Sequence, residues 1–424
     1  MIAGLKLIKS SLLRNRILVE NFTFLSILQV SNLLLFIVTI PYLFRVLGSE
    51  SYGLIIFAQT TVYYFTILTN YGFNLPITRD VSVSRDDRDK LSEIVSSVLS
   101  LKFILFLVSF ILMIILTGVL PFLKAHRMLF LLSMLACLSE ALFPIWFFQG
   151  IEKMKYIMFI NISTRILATI FIFVLIRKAA DFIRYPLIWG TGTVTGAIAG
   201  LIIVSRKYRV PFRIQKIETL ISYFRENTLY FFSNVSTQVY INANKIVVGA
   251  FLGMAEVAWY DIADKIVNIA KVPLSLLGQA LFPKVAKDRD IKYLKRIMVY
   301  TVIFTAGVVS LIFLFSGTLI QLFSGSPNSG SINVLRILSL TLIPISIGLF
   351  YGDLLLINFG LKVEYAKMRF MGLVIYSSLV GIFLISGRLR IIYMAIILLV
   401  VETLMAVYSF YKTKNTEVNL YSMK

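Results

Sequence analysis

The chain has 424 residues, 58% of them hydrophobic and 15% charged, with a mean hydropathy of +0.86. Water-soluble domains are roughly 45–50% apolar and about 25% charged, so the composition excludes a soluble globular fold and specifies a polytopic, all-α membrane protein. The formal net charge of +21 argues for topogenesis and anionic headgroups rather than for nucleic acid, because basic residues in a membrane chain concentrate on its cytoplasmic side.

A spanning helix needs about 20 predominantly apolar residues. Twelve blocks meet that length, at residues 20–44, 52–74, 95–120, 127–148, 156–176, 183–204, 228–252, 256–282, 297–323, 332–358, 367–387 and 391–411. Lys6, Lys9, Arg14 and Arg16 precede the first block without a small-residue cleavage site, so that block is expected to stay as an anchor. With both termini on the cytoplasmic side, the basic stretches fall inside; Arg206, Lys207, Arg209, Arg213, Lys216 and Arg225 form one of the richest. Cys137 and His126 are single residues of their kinds, which excludes a disulfide framework and a metal site built from several such ligands.

The first block carries Gln29 and Asn32 and is expected to end at Pro41, before an outer turn in which Gly48 supplies the backbone freedom. The second shows an uncharged stripe, Gln59, Tyr63, Thr66, Asn70 and Asn74, at helical spacing. It suits the wall of a cavity for hydrated or polyhydroxylated material, and it suits hydrogen bonding between helices equally well. The charged stretch between Pro76 and Glu93 reads as a short amphipathic surface helix or a solvated linker. Lys102 is placed to snorkel to the interface, Trp146 and its neighbours to anchor the inner boundary. Arg165 lies too deep in the fifth block to snorkel. The sixth block is rich in glycine, which permits close helix packing.

Blocks seven and eight are apolar enough to span yet carry polar stripes. Asn234, Gln238, Asn242 and Lys245 share one face of the seventh. In the eighth, Asp261, Asp264, Lys265, Asn268, Lys271, Ser275 and Gln279 fall opposite Ile262, Ile266, Ile269, Leu277 and Leu281. Charge facing lipid is expensive, so the stripes predict a cavity wall or bonded partners in a packed bundle. Asp261 sits one turn before Lys265 and can neutralise it, which leaves Lys245 and Lys271 the better candidates for contacts to an anion; Pro273 predicts a bend. Later blocks are uniformly apolar apart from Arg336, Asp353 and Glu402.

The halves repeat at a separation of about 207 residues. Leu47-Gly48 matches Leu252-Gly253, Glu50 matches Glu256, Tyr52 matches Tyr260, and Leu75-Pro76 matches Phe282-Pro283. Six spans per repeat predict two equally oriented lobes, residues 1–204 and 228–424, joined by a basic cytoplasmic linker at 205–227, with a cavity between the lobes.

The run Phe44-Arg45-Val46-Leu47-Gly48-Ser49-Glu50-Ser51-Tyr52-Gly53, with Asn70-Tyr71-Gly72-Phe73-Asn74-Leu75, resembles the bacterial polysaccharide-unit flippases. These are the O-antigen and capsule transporters of the MATE-like multidrug/oligosaccharidyl-lipid/polysaccharide superfamily. Trp146 to Glu152, Asn244 to Gly249, Tyr260 to Ala263 and Gln279 to Pro283 are similar to further landmarks of that family. The resemblance implies a V-shaped, twelve-helix fold in the inner membrane, working by alternating access. It implies an undecaprenyl-pyrophosphate-linked oligosaccharide as substrate, moved to the periplasmic leaflet, and a polymerase and chain-length regulator as pathway partners. On that reading Arg165, Lys245, Lys265 and Lys271 are the candidate contacts for phosphate or acidic sugar. Gln59, Tyr63, Asn70, Asn74, Asn234, Gln238, Asn242 and Asn268 are the candidate polar lining. Asp261, Asp264 and Asp353 are the candidates for coupling to H+ or Na+; no other cofactor is expected. The alternative is an ion-coupled exporter of organic cations on the same fold. The short outer loops and the lack of a nucleophile motif, acid/base pair or phosphate loop argue against an enzyme.

Overall fold

The computed structural model describes residues 2–288 and 291–422, with side chains from 20 to 414 except 229, 233, 234, 236, 237, 240, 283, 284, 286–288, 292 and 362. Among the described residues every regular element is helical, as a hydrocarbon environment requires of a chain that must satisfy its backbone internally. In order these are α1 (Ile2–Asn70), α2 (Asn74–Val83), α3 (Arg88–Val119), α4 (Pro121–Ala125), α5 (Arg127–Ser133), α6 (Leu135–Leu142), α7 (Ile145–Gly150) and α8 (Met154–Leu175). They continue as α9 (Arg184–Ile202), α10 (Ile217–Phe251), α11 (Met254–Asp288), α12 (Ile291–Leu314), α13 (Ser316–Ser324), α14 (Ser329–Leu340), α15 (Leu342–Gly348), α16 (Lys362–Ile385) and α17 (Ile391–Ser422).

Nine helices among the described residues are long and apolar enough to cross a membrane, against twelve blocks in the sequence. The difference has two sources. The first two blocks fall in one continuous stretch, Glu20–Val83, because the chain stays helical through Pro41 and is interrupted only briefly, at Gly48 (φ 75°, ψ 168°) and at the turn between α1 and α2. Blocks seven and eight form α10 and α11, helices of 35 residues each, and neither is among the nine: α10 is only partly covered by the described side chains, and α11 carries charge along its length. Gly253, the repeat partner of Gly48, also has positive φ, at 102°. Both glycines start a new helix at a backbone conformation that a side chain resists.

The chain divides into two compact units: residues 1–47 with 58–234, and residues 48–57 with 235–424. In the first, α3 shows how a membrane helix is turned inside out. Phe103, Ile104, Leu107, Val108, Ile111, Leu112 and Ile115 are exposed, while Lys102, Ser109 and Thr117 are buried. Apolar groups lie outward where lipid tails are the solvent, and the polar groups lie where partners exist. Lys102 does not snorkel: it is fully buried and pairs with Glu140 at 3.1 Å, and Asn70 donates to the same carboxylate oxygen at 2.6 Å. Trp146, Phe147 and Phe148 are likewise not interfacial anchors. They are completely buried in a core with Phe73, Ile77, Val81, Ile94 and Val98. The amphipathic helix expected after Pro76 is α2, with Ile77 and Val81 on its buried face, and Asp87 caps the next helix by accepting from the Lys90 backbone N–H at 2.9 Å.

In the second unit, α11 runs unbroken through Pro273. Its apolar face, Ile262, Ile266, Leu274 and Leu281, is buried, while Asn268, Ser275 and Gln279 are exposed. The predicted two-faced helix is therefore present, with the polar side open.

Candidate functional site

The second unit gathers five of its polar side chains into one network built on Asp261, whose side chain is 1% exposed. Lys245 on α10 reaches Asp261 Oδ1 at 2.8 Å and Asp264 Oδ2 at 2.9 Å. Lys265, one turn after Asp261 on α11, reaches Asp261 Oδ2 at 2.7 Å. The Tyr52 hydroxyl donates to Asp261 Oδ2 at 2.8 Å and accepts from Lys265 Nζ at 2.8 Å; the Lys265 ammonium also lies over the Tyr52 ring, 5.3 Å from its centroid. Two lysines and two aspartates cancel, which is what lets four ionised groups sit at this depth. Tyr52 gets there through a close approach of backbones: a Cβ on Gly53 would fall on the Met254 carbonyl oxygen. Only glycine fits at that position.

This network changes the ranking of the lysines. The spacing of Lys265 to Asp261 shows their pairing within one helix, and it is present. Lys245 ranks above Lys265 in the sequence because nothing on its own helix neutralises it, yet it holds two carboxylates of the next helix. Pairing between helices leaves no trace in the period of either one. Lys271 differs: it is half-buried and makes no ion pair or hydrogen bond among the described residues. Asp353 is occupied by Arg369 at 2.9 Å and Glu140 by Lys102, so neither neutralises Lys271. Glu402 on α17 lies within electrostatic reach of Lys271, Arg369 and Asp353.

The remaining candidates scatter. Asn70 is bound to Glu140, whereas Asn74 Oδ1 is buried without a hydrogen-bond partner. Gln59 is half-buried and Tyr63 is 37% exposed. Asn242 donates to the Gln238 carbonyl at 3.2 Å, a bond along its own helix. Asn234 lies outside the described side chains. Arg165 sits on α8 with its guanidinium 5.6 Å from the Trp189 ring centroid, away from the lysine and aspartate network in sequence and in unit.

Asn244 opens one of the landmarks of the resemblance but is missed by the polar stripes. It is 2% exposed, donates to the Tyr260 hydroxyl at 2.6 Å and accepts from the Tyr376 hydroxyl at 2.6 Å, tying α10 to α11 and α16. The stripe through Gln238 and Asn242 passes it by, so its spacing gives it no role.

Helices that carry buried, mutually cancelled charge behind apolar outer faces define a multi-pass helical membrane protein. Two solved structures share that fold. "Lipid II flippase MurJ, inward closed conformation" superposes with a TM-score of 0.73 at 15% identity, over 92% of this chain and 87% of that one. "Inward-facing conformation of a multidrug resistance MATE family transporter of the MOP superfamily" does so with a TM-score of 0.66 at 17% identity, over 92% and 96%. The chain belongs to the polysaccharide biosynthesis protein family, which residues 18–287 match. Two relatives carry the name "Putative O-antigen transporter". That of Escherichia coli (strain K12) is 26% identical over 91% of this chain and 94% of its own length. That of Shigella dysenteriae is 24% identical over 84% and 90%.

Proposed function

We propose that the protein is a flippase that moves undecaprenyl-pyrophosphate-linked oligosaccharide repeat units from the cytoplasmic to the periplasmic leaflet by alternating access, for O-antigen or capsule synthesis. The family and the names of the relatives support a polysaccharide substrate, and the shared fold with a lipid II flippase supports a lipid-linked one. The observation that carries the reading is Lys271. It is a cation on the open polar face of α11, beside exposed Asn268, Ser275 and Gln279, with no partner among the described residues. A cation at membrane depth that no direct ion pair holds, with the Glu402 carboxylate only within electrostatic reach, suits an oxyanion that arrives and leaves. Amide and hydroxyl groups beside it suit sugar hydroxyls. Asp261, Asp264 and Asp353 are all ion-paired, so coupling to H+ or Na+ through any of them would proceed by breaking a pair.

The test is export of one surface polysaccharide in a strain deleted for the gene and complemented with variants. Lys271→Ala is expected to abolish export at normal membrane abundance, and Lys271→Arg to retain part of it. Wild-type export from Lys271→Ala would remove the assignment. Unchanged surface polysaccharide in the deletion strain, with lost tolerance to organic cations, would favour a multidrug exporter.

A further inference from the structure

The first unit contains a second set of polar groups that the lysine and aspartate network does not use. Gln29 Oε1 and Asn32 Oδ1 on α1, and Arg165 Nε and Thr169 Oγ1 on α8, are buried without a hydrogen-bond partner. Their coincidence follows from register. Asn21 accepts from the Met154 backbone N–H at 3.3 Å, the Phe24 and Phe159 rings meet with centroids 6.4 Å apart, and the Tyr42 hydroxyl donates to the Ile176 carbonyl at 2.6 Å. These contacts run α1 and α8 side by side in the same direction, so Gln29 and Asn32 lie at the level of Arg165 and Thr169. Orphaned polar atoms in a folded interior are uncommon, and four at one level of a membrane unit demand a partner.

Two more features say what that partner is. Arg165 has no carboxylate partner among the described residues, so its charge calls for an anion. Its guanidinium lies over Trp189, and the Trp189 ring is stacked on Tyr185, with centroids 6.3 Å apart and planes 9° from parallel. Trp189 is brought to α8 by a glycine: a Cβ on Gly196 would press on Thr164 Cγ2 at 3.0 Å and Ile160 Cγ2 at 3.1 Å. Arg165, Tyr185 and Trp189 are each half-buried, so they present surface as well as packing. A flat aromatic pair offers a platform for the apolar face of a sugar ring, amide oxygens accept from its hydroxyls, and a guanidinium fork matches a carboxylate.

We propose that Gln29, Asn32, Arg165, Thr169, Tyr185 and Trp189 form a subsite for an anionic sugar, a uronic-acid residue of the transported oligosaccharide. The proposal rests on the flippase reading and names its substrate class. Every residue of the subsite belongs to the first unit.

The experiment uses the full-length protein in lipid nanodiscs and follows tryptophan fluorescence, with D-glucuronate as the probe and D-glucose and inorganic phosphate as comparators. Glucuronate is expected to quench saturably, and glucose and phosphate are not. Arg165→Gln is expected to weaken glucuronate binding by about tenfold or more, the size of a lost charge-assisted bond, and Arg165→Lys by less. In Trp189→Phe the quench should vanish while calorimetry still detects binding. Melting temperatures within a few degrees of wild type identify the variants that report on binding; Asn32→Gln, which keeps the amide, supplies a second variant if Arg165→Gln does not fold. No saturable glucuronate response in the wild type, an equal response to phosphate, or an Arg165→Gln titration that matches wild type would each overturn the subsite. Export of the surface polysaccharide, lost on deletion and dependent on Lys271, is read in a different assay. The flippase reading therefore stands or falls without this result.

Discussion

Replacing Asp261 by Asn tests whether the network on α10 and α11 holds the second unit together. The carboxylate is the hub: it takes Lys245 at 2.8 Å, Lys265 at 2.7 Å and the Tyr52 hydroxyl at 2.8 Å. The two lysines do not lose equally. Lys245 keeps Asp264 at 2.9 Å, whereas Lys265 loses the Asp261 carboxylate at 2.7 Å and keeps the hydroxyl and ring of Tyr52. The loss is therefore that of one buried ion pair broken from one side, about 3–5 kcal/mol. Spread over the unfolding entropy of a chain of this size, that corresponds to a fall in melting temperature of roughly 3–6 °C. Intrinsic fluorescence during thermal unfolding in detergent measures it. A second substitution sharpens the test, because Lys265→Met in the Asp261→Asn background removes the stranded charge. The double variant is expected to recover more than half of the loss. If Asp261→Asn melts within 1 °C of wild type, or if the double variant is less stable than the single, the hub is not what secures these helices.

Other substitutions probe neighbouring steps of the argument. In a Cys137→Ala background, cysteines at Asn268, Ser275 and Gln279 should react with a membrane-impermeant thiol reagent, and cysteines at the buried Ile262 and Ile266 should not; equal protection of both sets would show that the polar face of α11 is closed to water. Gly53→Val places a branched side chain against the Met254 carbonyl and should reduce folded protein in the membrane severely, where size-exclusion profiles report it; a monodisperse peak at wild-type yield would contradict the close approach. Glu140→Gln strands the fully buried Lys102 and should cost about 3–5 kcal/mol, with Lys102→Met restoring part of it in the double variant by the same melting assay.

How much was legible in advance depended on whether the signal ran along the chain or across it. The apolar blocks, the two-faced pattern of α11, the break at Gly48 and its repeat at Gly253 are local properties. Residue type and spacing set them, and the chain shows them without a partner. The pairing of Lys265 with Asp261 is local too, one turn apart on one helix. Contacts between helices were not legible. Lys102 reads as a snorkelling side chain until Glu140 and Asn70 are brought to it, and Trp146 reads as an interfacial anchor until Phe73 and Val98 close over it. Lys245 reads as a ligand until α11 supplies its carboxylates, and Asn244, a landmark without a role in the stripes, gains one only when Tyr260 and Tyr376 meet it.

By itself, then, the sequence determined that this chain spans a membrane as helices, which of their faces are polar, and that Gly48 and Gly253 break the helix, because burial in lipid and the 3.6-residue period act on each helix alone; Pro41 and Pro273, which read as an end and a bend, lie within helix. Tertiary structure decided which charges cancel and which stay available. Coulomb energy in a low-dielectric interior depends on distances between helices, and those distances are set by packing, not by order in the chain. That is why Lys271, ranked with Lys245 in the sequence, makes no ion pair among the described residues while Lys245 makes two.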